Sequence, residues 1–251
     1  MARQRLGQHF LVKGRILERI AMAACGDHAP LVVEIGPGRG ALTEHLLGHA
    51  ERVVGIELDT ALAGYVREHW LGDSRLEIVE ANALDADWSQ WGDGVLVGNL
   101  PYYAATAIIS RYVHNPGSLK HGVFLIQKEV AERITAQPGG REYGYLSVEC
   151  QLLAQAEYLF TVGPGAFRPP PKVESAVIRL TPRTTHLIQD TRGFLSFASL
   201  CFRQKRKTLR NNLAVAYPAQ LYQGRPEISR RAEQLSVEEL AELYRSLGGV
   251  G

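Results

Sequence analysis

Short runs of consecutive apolar residues alternate with stretches of helical periodicity over the first half of the chain. Four such runs predict buried strands, at residues 31–35, 52–56, 76–79 and 95–98. Helical patterns at 41–47 and 60–70 separate the first three of them. Strands that alternate with helices are typical of a doubly wound parallel sheet, so we expect an α/β fold of the Rossmann-like kind.

The later part of the chain changes pattern twice. Runs 158–162 and 175–180 predict an antiparallel pair at the sheet edge, joined by a stiff proline-rich loop that projects from it. From residue 184 onward the periodicity is helical, at 194–202, 205–215 and 237–247, and Ser236 with Glu239 matches a capping box. We therefore predict a large domain at 1–183, which includes an N-terminal arm at 1–12, and a small helical domain at 184–251.

Composition narrows the class of protein without naming it. The 251 residues include no apolar stretch of membrane-spanning length, and the first ten residues lack the apolar centre of a signal peptide, so we expect a cytoplasmic protein. The three cysteines, Cys25, Cys150 and Cys201, are far apart in the sequence and suggest neither a disulfide framework nor a zinc site. We expect a monomer that binds no metal and no membrane.

Positive charge is concentrated near the C-terminus. The net charge is only +2, but residues 184–251 carry ten Lys and Arg against six Asp and Glu. Such a cluster is often only a solvated surface, but in the one net-basic domain it favours contacts with RNA phosphates. The predicted RNA-binding residues are Arg203, Lys205, Arg206, Lys207 and Arg210.

A glycine-rich loop at 36–40 follows the first predicted strand, and Glu57 follows about 20 residues later, where a carboxylate can hold ribose hydroxyls. This pattern fits a dinucleotide and S-adenosylmethionine alike. Glu34, at the end of the strand, suits an amino-acid ammonium better than a pyrophosphate. We therefore favour S-adenosylmethionine, with its adenine near Asn82.

The turn Asn99-Leu100-Pro101-Tyr102 comes directly after the fourth strand. If Asn99 Oδ1 and the Leu100 carbonyl each accept a hydrogen from an exocyclic amine, its nitrogen lone pair can turn towards an electrophile. Pro101 would fix the turn, and Tyr102 would stack on the base. A buried strand-to-helix turn with no ligand remains the simpler alternative for these four residues alone.

Several motifs together resemble one family. They are EIGPGRGALT at 34–43, NLPY at 99–102, QKEVAER at 127–133, FRPPPKVESAV at 167–177, RKTLRNNL at 206–213 and GQHFL at 7–11. In this order they resemble the small-subunit (16S) ribosomal RNA adenine N6,N6-dimethyltransferases. The resemblance implies transfer of two methyl groups to each of two adjacent adenosines in a hairpin near the 3′ end of 16S ribosomal RNA.

The resemblance also implies roles for residues of this chain. Those expected to hold the target adenine are Asn99, Leu100, Pro101, Tyr102 and, over its other face, Phe167. Those expected to hold the cofactor are Gln8, His9, Leu11, Glu34, Gly36, Gly38, Glu57, Leu58, Asn82, Ala83 and Asn99. The family commonly has Asp at the position of Asn82 and Asn at that of Tyr103; the Asn82 carbonyl can still accept a hydrogen bond.

Three alternatives stay open from the sequence. A large-subunit adenine methyltransferase of the macrolide-resistance type shares the cofactor motifs, although Leu100 and the triple-proline loop argue against it. A non-catalytic ribosome-assembly or transcription factor could use the same fold as a binding module. A nicotinamide oxidoreductase fits the glycine loop, but no hydride-accepting arrangement accompanies it.

Overall fold

A seven-stranded sheet dominates the computed structural model, which describes residues 9–248. Its strands are β2 (Val32–Ile35), β3 (Val53–Glu57), β4 (Leu76–Glu80), β5 (Gly94–Asn99), β6 (Leu119–Gln127), β7 (Ala154–Val162) and β9 (Ser175–Pro182). Their order across the sheet is β4-β3-β2-β5-β6-β9-β7. The first five in the chain are paired in parallel, and β9 runs antiparallel to β6. The predicted doubly wound α/β sheet is confirmed.

Helices follow the strands as the periodicity predicts. They are α1 (Gly14–Cys25), α2 (Ala41–Leu47), α3 (Thr60–His69), α4 (Ala105–His114), α5 (Lys128–Thr135), α6 (Tyr145–Leu153), α7 (Thr191–Cys201), α8 (Leu209–Leu213) and α9 (Val237–Ser246). The side chain of Asp59 caps α3, and Ser236 and Glu239 form the predicted capping box of α9. Within residues 9–248, no helix has the length and apolar character needed to cross a membrane.

The strand order fixes where a ligand can bind. From β2 the chain builds outward through β3 and β4, then crosses to β5 and β6 on the other side of β2. This reversal creates a crevice beyond the carboxyl ends of β2 and β5, which is where open α/β sheets bind ligands. Glu34 is the third residue of β2 and Asn99 is the last residue of β5.

A second, two-stranded sheet joins β1 (Phe10–Leu11) to β8 (Phe167–Arg168). Leu11 pairs with Phe167, and the Val12 amide donates to the Ala166 carbonyl at 2.9 Å. Residues 166–168 therefore do not project from the sheet as predicted, because their backbone pairs with the N-terminal strand.

The chain divides into two compact units at bounds that differ from the predicted ones. The first comprises residues up to 131 and 156–182, and the second comprises 132–155 and the residues from 183 onward. Segment 132–155, which the sequence pattern assigns to the first domain, belongs to the second unit. Its Val148 and Leu152 lie in one buried cluster with C-terminal residues such as Leu213 and Leu240.

The predicted helix 205–215 is shorter in the structure. Only Leu209–Leu213 is helical, and residues 203–207 form turns after α7. The buried Asn212 side chain explains the break, because it donates to the Cys201 carbonyl at 2.7 Å and accepts from the Gln204 amide at 3.2 Å. These bonds hold the chain in a loop between the two helices.

Candidate active site

A cavity of about 240 Å³ lies within the first unit, at the carboxyl ends of β2 and β5. Ten of the predicted site residues line it: His9, Leu11, Glu34, Gly36, Gly38, Glu57, Asn99, Leu100, Pro101 and Tyr102. Residues from four separate parts of the sequence therefore meet at one place. Gln8 lies outside the described residues.

The turn after β5 presents two acceptors. The Leu100 amide donates to the Leu125 carbonyl at 3.0 Å, and the Pro101 carbonyl accepts from the amides of Ala104 and Ala105 at the start of α4. Neither Asn99 Oδ1 nor the Leu100 carbonyl accepts a hydrogen bond from any residue in the described range. Both oxygens are thus available to bind an amine.

Tyr102 is held by a residue that the sequence did not point to. Its hydroxyl forms a 2.8 Å hydrogen bond with Oγ of Ser175, a fully buried residue at the start of β9. The ring of His9 lies 5.8 Å from the Tyr102 ring, centroid to centroid. The hydrogen bond to Ser175 therefore fixes the position of the Tyr102 ring, as a stacking platform requires.

The glycine loop is tied to the strand beside it through Glu57. Glu57 Oε2 accepts from the Gly38 amide at 3.0 Å, and Oε1 accepts from the Asp59 amide at 2.9 Å. Gly38 has a φ of +60°, a conformation that side-chain-bearing residues rarely adopt. Glu57 therefore holds the loop in shape, and it is also one of the residues that line the cavity.

Glu34 is a buried carboxyl at the base of the cavity. Its pKa is raised from 4.5 to about 7, chiefly by burial; a 2.6 Å hydrogen bond donated by Thr43 Oγ1 lowers that pKa, and the nearby charge of Glu57 adds to the rise. A buried carboxyl with a pKa near 7 favours a cationic ligand. An ammonium group beside it would stabilise the ionised carboxylate and so offset the cost of burying its charge.

The loop after β4 is held in shape by side-chain hydrogen bonds, and the cofactor contacts expected of Leu58, Asn82 and Ala83 stay predictions. Asn82 Oδ1 accepts from the Leu84 amide at 3.1 Å, and Nδ2 donates to Asp85 at 2.8 Å, so this side chain shapes its own loop. Arg111 of α4 holds the same loop by donating to the carbonyls of Ala83 and Ala86. Leu58, Asn82 and Ala83 are not among the residues that line the cavity.

Phe167 is not presented to the cavity. It is only 1% exposed and belongs to a buried cluster that includes Leu11 and Leu125. The prediction that it covers the free face of a bound adenine is wrong for this conformation, because its pairing with Leu11 turns the ring into the core. Arg168, the next residue, lines the cavity instead.

The cavity lining also includes residues that the sequence did not predict, among them Phe10 and Arg39. Phe10 lies against the glycine loop, 3.2 Å from the position that a Cβ on Gly38 would occupy, and the guanidinium of Arg39 lies 5.2 Å from the Phe10 ring. Arg39 and Arg168 are exposed at the cavity, where they add positive charge. The only sign in the sequence that the N-terminal arm packs against the rest of the protein was the apolar pair Phe10 and Leu11 within a polar segment.

The predicted basic residues lie together in the second unit. All five, Arg203, Lys205, Arg206, Lys207 and Arg210, are exposed, and none forms an ion pair within residues 9–248. Lys205 Nζ donates to the Arg141 carbonyl at 2.7 Å, and the Gly139 amide donates to the Glu233 carbonyl at 2.6 Å. Segment 137–144, whose sequence is typical of a mobile loop, is thus held in place beside them.

Comparison with known proteins agrees with this geometry. The model of a family described as ribosomal RNA adenine dimethylase matches residues 1–247. The chain belongs to that family. The resemblance found in the sequence is confirmed, and with it the fold and the class of enzyme.

Individual members of the dimethylase family and related structures match over nearly their whole length. A relative from Acidobacterium capsulatum, named ribosomal RNA small subunit methyltransferase A, is 43% identical over 255 positions, covering 97% of this chain and 90% of the relative. A dimethyladenosine transferase structure from Plasmodium falciparum has a TM-score of 0.85 at 25% identity, covering 96% and 99% of the two chains. The 23S rRNA methyltransferase ErmE has a TM-score of 0.78 at 27% identity, covering 95% and 99%.

Proposed function

We propose that this dimethylase transfers methyl groups from S-adenosylmethionine to N6 of two adjacent adenosines in a hairpin near the 3′ end of 16S ribosomal RNA. The single observation that carries the proposal is the pair of open acceptors, Asn99 Oδ1 and the Leu100 carbonyl, in the cavity that also contains Glu34. Family membership and the name of the Acidobacterium relative support the choice of RNA.

The cavity residues fit S-adenosylmethionine. Glu34 is a buried carboxyl whose raised pKa favours a cation, and it would bind the ammonium of the methionine part. The glycine loop passes beside it with a backbone that only glycine adopts readily, and Glu57 would accept from the ribose hydroxyls. When bound, S-adenosylmethionine supplies a methyl group on a positively charged sulfur.

The residues of the turn would hold the target amine for direct transfer. Asn99 and Leu100 accept its two hydrogens, which lets the nitrogen pyramidalise, and Tyr102 stacks on the ring from a position fixed by Ser175. The methylated nitrogen loses its proton readily, so no strong base is required. Positioning and exclusion of water are then the main catalytic contributions of the protein.

A second transfer imposes a further demand on the same turn. After the first methylation the nitrogen has one hydrogen left, so only one of the two acceptors can still bind it. The contributions of Asn99 and Leu100 to the two steps therefore differ.

The basic loop between α7 and α8 would bind the phosphates of the RNA. Four of the five predicted cations lie on this loop, which Asn212 holds, and Arg210 lies on α8; all five are exposed. Each phosphate contact strengthens binding and makes it more dependent on salt. A compact RNA hairpin is recognised largely by shape, which such a surface can provide.

Incubation with labelled S-adenosylmethionine tests the proposal. The purified protein is given unmethylated small subunits, large subunits or naked ribosomal RNA, and the RNA is digested and analysed for N6,N6-dimethyladenosine. We expect label in small-subunit RNA as dimethylated adenosine at two neighbouring positions. Label confined to the large subunit would assign the chain to the other methyltransferase class, and no label in any substrate would refute catalysis.

A further inference from the structure

The N-terminal strand is joined to the catalytic turn by an unexpected contact. We refer to residues 9–12 as the strap. The strap is held to segment 166–169 at both ends: His9 Nδ1 donates to the Pro169 carbonyl at 2.8 Å, and the Val12 amide donates to the Ala166 carbonyl at 2.9 Å. Between these bonds, Leu11 pairs with Phe167.

The strap also binds the side chain of Asn99. Asn99 Nδ2 donates to the His9 main-chain carbonyl at 3.2 Å. An asparagine amide presents an acceptor oxygen on one side and a donor nitrogen on the other, and a half-turn of its last torsion exchanges them. With Nδ2 bound to His9, Oδ1 is the atom left for a ligand.

The orientation of this amide matters for the chemistry. An adenine amine is a hydrogen-bond donor, so it binds Oδ1 and is repelled by Nδ2. In the reversed orientation Asn99 would offer a second donor to the amine, and the nitrogen lone pair would be drawn towards that donor and away from the methyl group. A group that fixes the amide therefore affects the rate of transfer.

We propose that His9 is a positioning residue for methyl transfer: its carbonyl orients the Asn99 amide, and its imidazole keeps that carbonyl in place by binding Pro169. This inference rests on the proposed function. It gives His9 a role different from the cofactor contact that the sequence predicted. It also makes segment 166–169 part of the device that sets the acceptor, although Phe167 itself is buried.

Substitution of His9 separates the two roles. His9→Ala removes the bond to Pro169, whereas His9→Asn keeps a side-chain donor, because the asparagine Nδ2 can occupy about the position of the histidine Nδ1. We expect the single-turnover methylation rate at saturating S-adenosylmethionine to fall about 2- to 10-fold in His9→Ala, the range of one neutral hydrogen bond. His9→Asn should recover most of this rate, and the Kd for S-adenosylmethionine should change less than about twofold in both variants.

Each other result overturns the inference. An unchanged rate in His9→Ala would mean that the strap does not set the amide. A loss confined to the Kd for S-adenosylmethionine would make His9 a cofactor contact. A rate in His9→Asn no higher than in His9→Ala would exclude the bond to Pro169 as the cause.

A second measurement needs no activity and so distinguishes failure of this inference from failure of the proposed function. Hydrogen exchange is followed in the peptide that contains the Val12 amide. Asn99→Asp places a carboxylate oxygen against the His9 carbonyl, whereas Asn99→Ala only removes the bond. We expect exchange to be fastest in Asn99→Asp, intermediate in Asn99→Ala and slowest in the unaltered protein; equal rates in all three would show that Asn99 and the strap are not coupled.

Discussion

Replacement of Glu34 by glutamine tests whether this buried carboxyl lowers the stability of the fold while it binds the positively charged group of the cofactor. Glu34 is fully buried, and its pKa is raised from 4.5 to about 7, chiefly by that burial. A carboxyl whose pKa is higher in the folded than in the unfolded chain destabilises the fold as pH rises from 4.5 through 7, and the full effect persists above 7. At about 1.4 kcal/mol per tenfold change, it amounts to about 3 kcal/mol at pH 8.

Glu34→Gln removes the titration and keeps an oxygen that can accept from Thr43 Oγ1. Urea unfolding should therefore show the variant to be about 3 kcal/mol more stable than the unaltered protein at pH 8, and less than about 1 kcal/mol more stable at pH 5. Glu44→Gln is a matched control, since Glu44 is exposed on the adjacent helix α2, and it should change stability by less than about 0.5 kcal/mol.

Binding should change in the opposite direction. With a pKa of about 7, roughly a tenth of Glu34 is ionised at pH 6, so the Kd of the unaltered protein for S-adenosylmethionine should be about tenfold weaker there than at pH 8. Titration calorimetry on Glu34→Gln should give weak binding with no such pH dependence. Equal stability of the two proteins at pH 8, or tight and pH-independent binding by the variant, would refute the role assigned to Glu34.

Two further predictions concern the glycine loop and the basic loop. In Gly40→Ala the added Cβ would lie 2.3 Å from ring atoms of Trp70 at a φ of +80°, so we expect a loss of about 2–4 kcal/mol in unfolding free energy and weaker cofactor binding. Gly64→Ala, on helix α3 with open space around it, is the control and should gain about 0.5–1 kcal/mol; equal effects would refute the steric argument. Charge reversal of Arg206 and Lys207 together should raise the KM for small subunits about tenfold or more and lower the slope of log Kd against log salt by about 2, with the single-turnover rate unchanged, whereas Arg206→Lys should retain binding. An unaltered KM in the reversed variant would exclude this loop as an RNA contact.

The parts of the site that a parallel sheet brings together could be predicted from the sequence. Glu34 and Asn99 are far apart in the chain, but each lies at the carboxyl end of a strand, and adjacent parallel strands end at the same edge. The glycine loop and Glu57 follow from the same rule. The pattern of buried parallel strands was enough to place these residues at one edge of the sheet.

The errors arose where contacts between distant segments override local pattern. Phe167 stands among prolines and looks exposed in the sequence, but its pairing with Leu11 buries it. Residues 205–207 carry a helical pattern, but the Asn212 amide holds the chain there as a loop. Neither bond is visible in a local window of sequence.

The second unit and the strap also depend on contacts between residues that are distant in the sequence. Segment 132–155 continues the periodicity of the first unit, and only its buried contacts with the C-terminal helices assign it to the second. The bond between Asn99 and His9 joins residues 90 positions apart through a main-chain atom. Side-chain identity at His9 gives no sign of that contact.

The central claim is that Asn99 contributes far more to the transfer step, by positioning the amine, than to binding of the cofactor. The most direct test compares Asn99→Ala with the unaltered protein in S-adenosylmethionine binding and in single-turnover methylation of small subunits. We expect the Kd to change less than about threefold and the rate to fall at least about 100-fold, since the acceptor acts mainly when the amine is attacked. Parallel loss of binding and rate, or a rate close to that of the unaltered protein, would contradict the account.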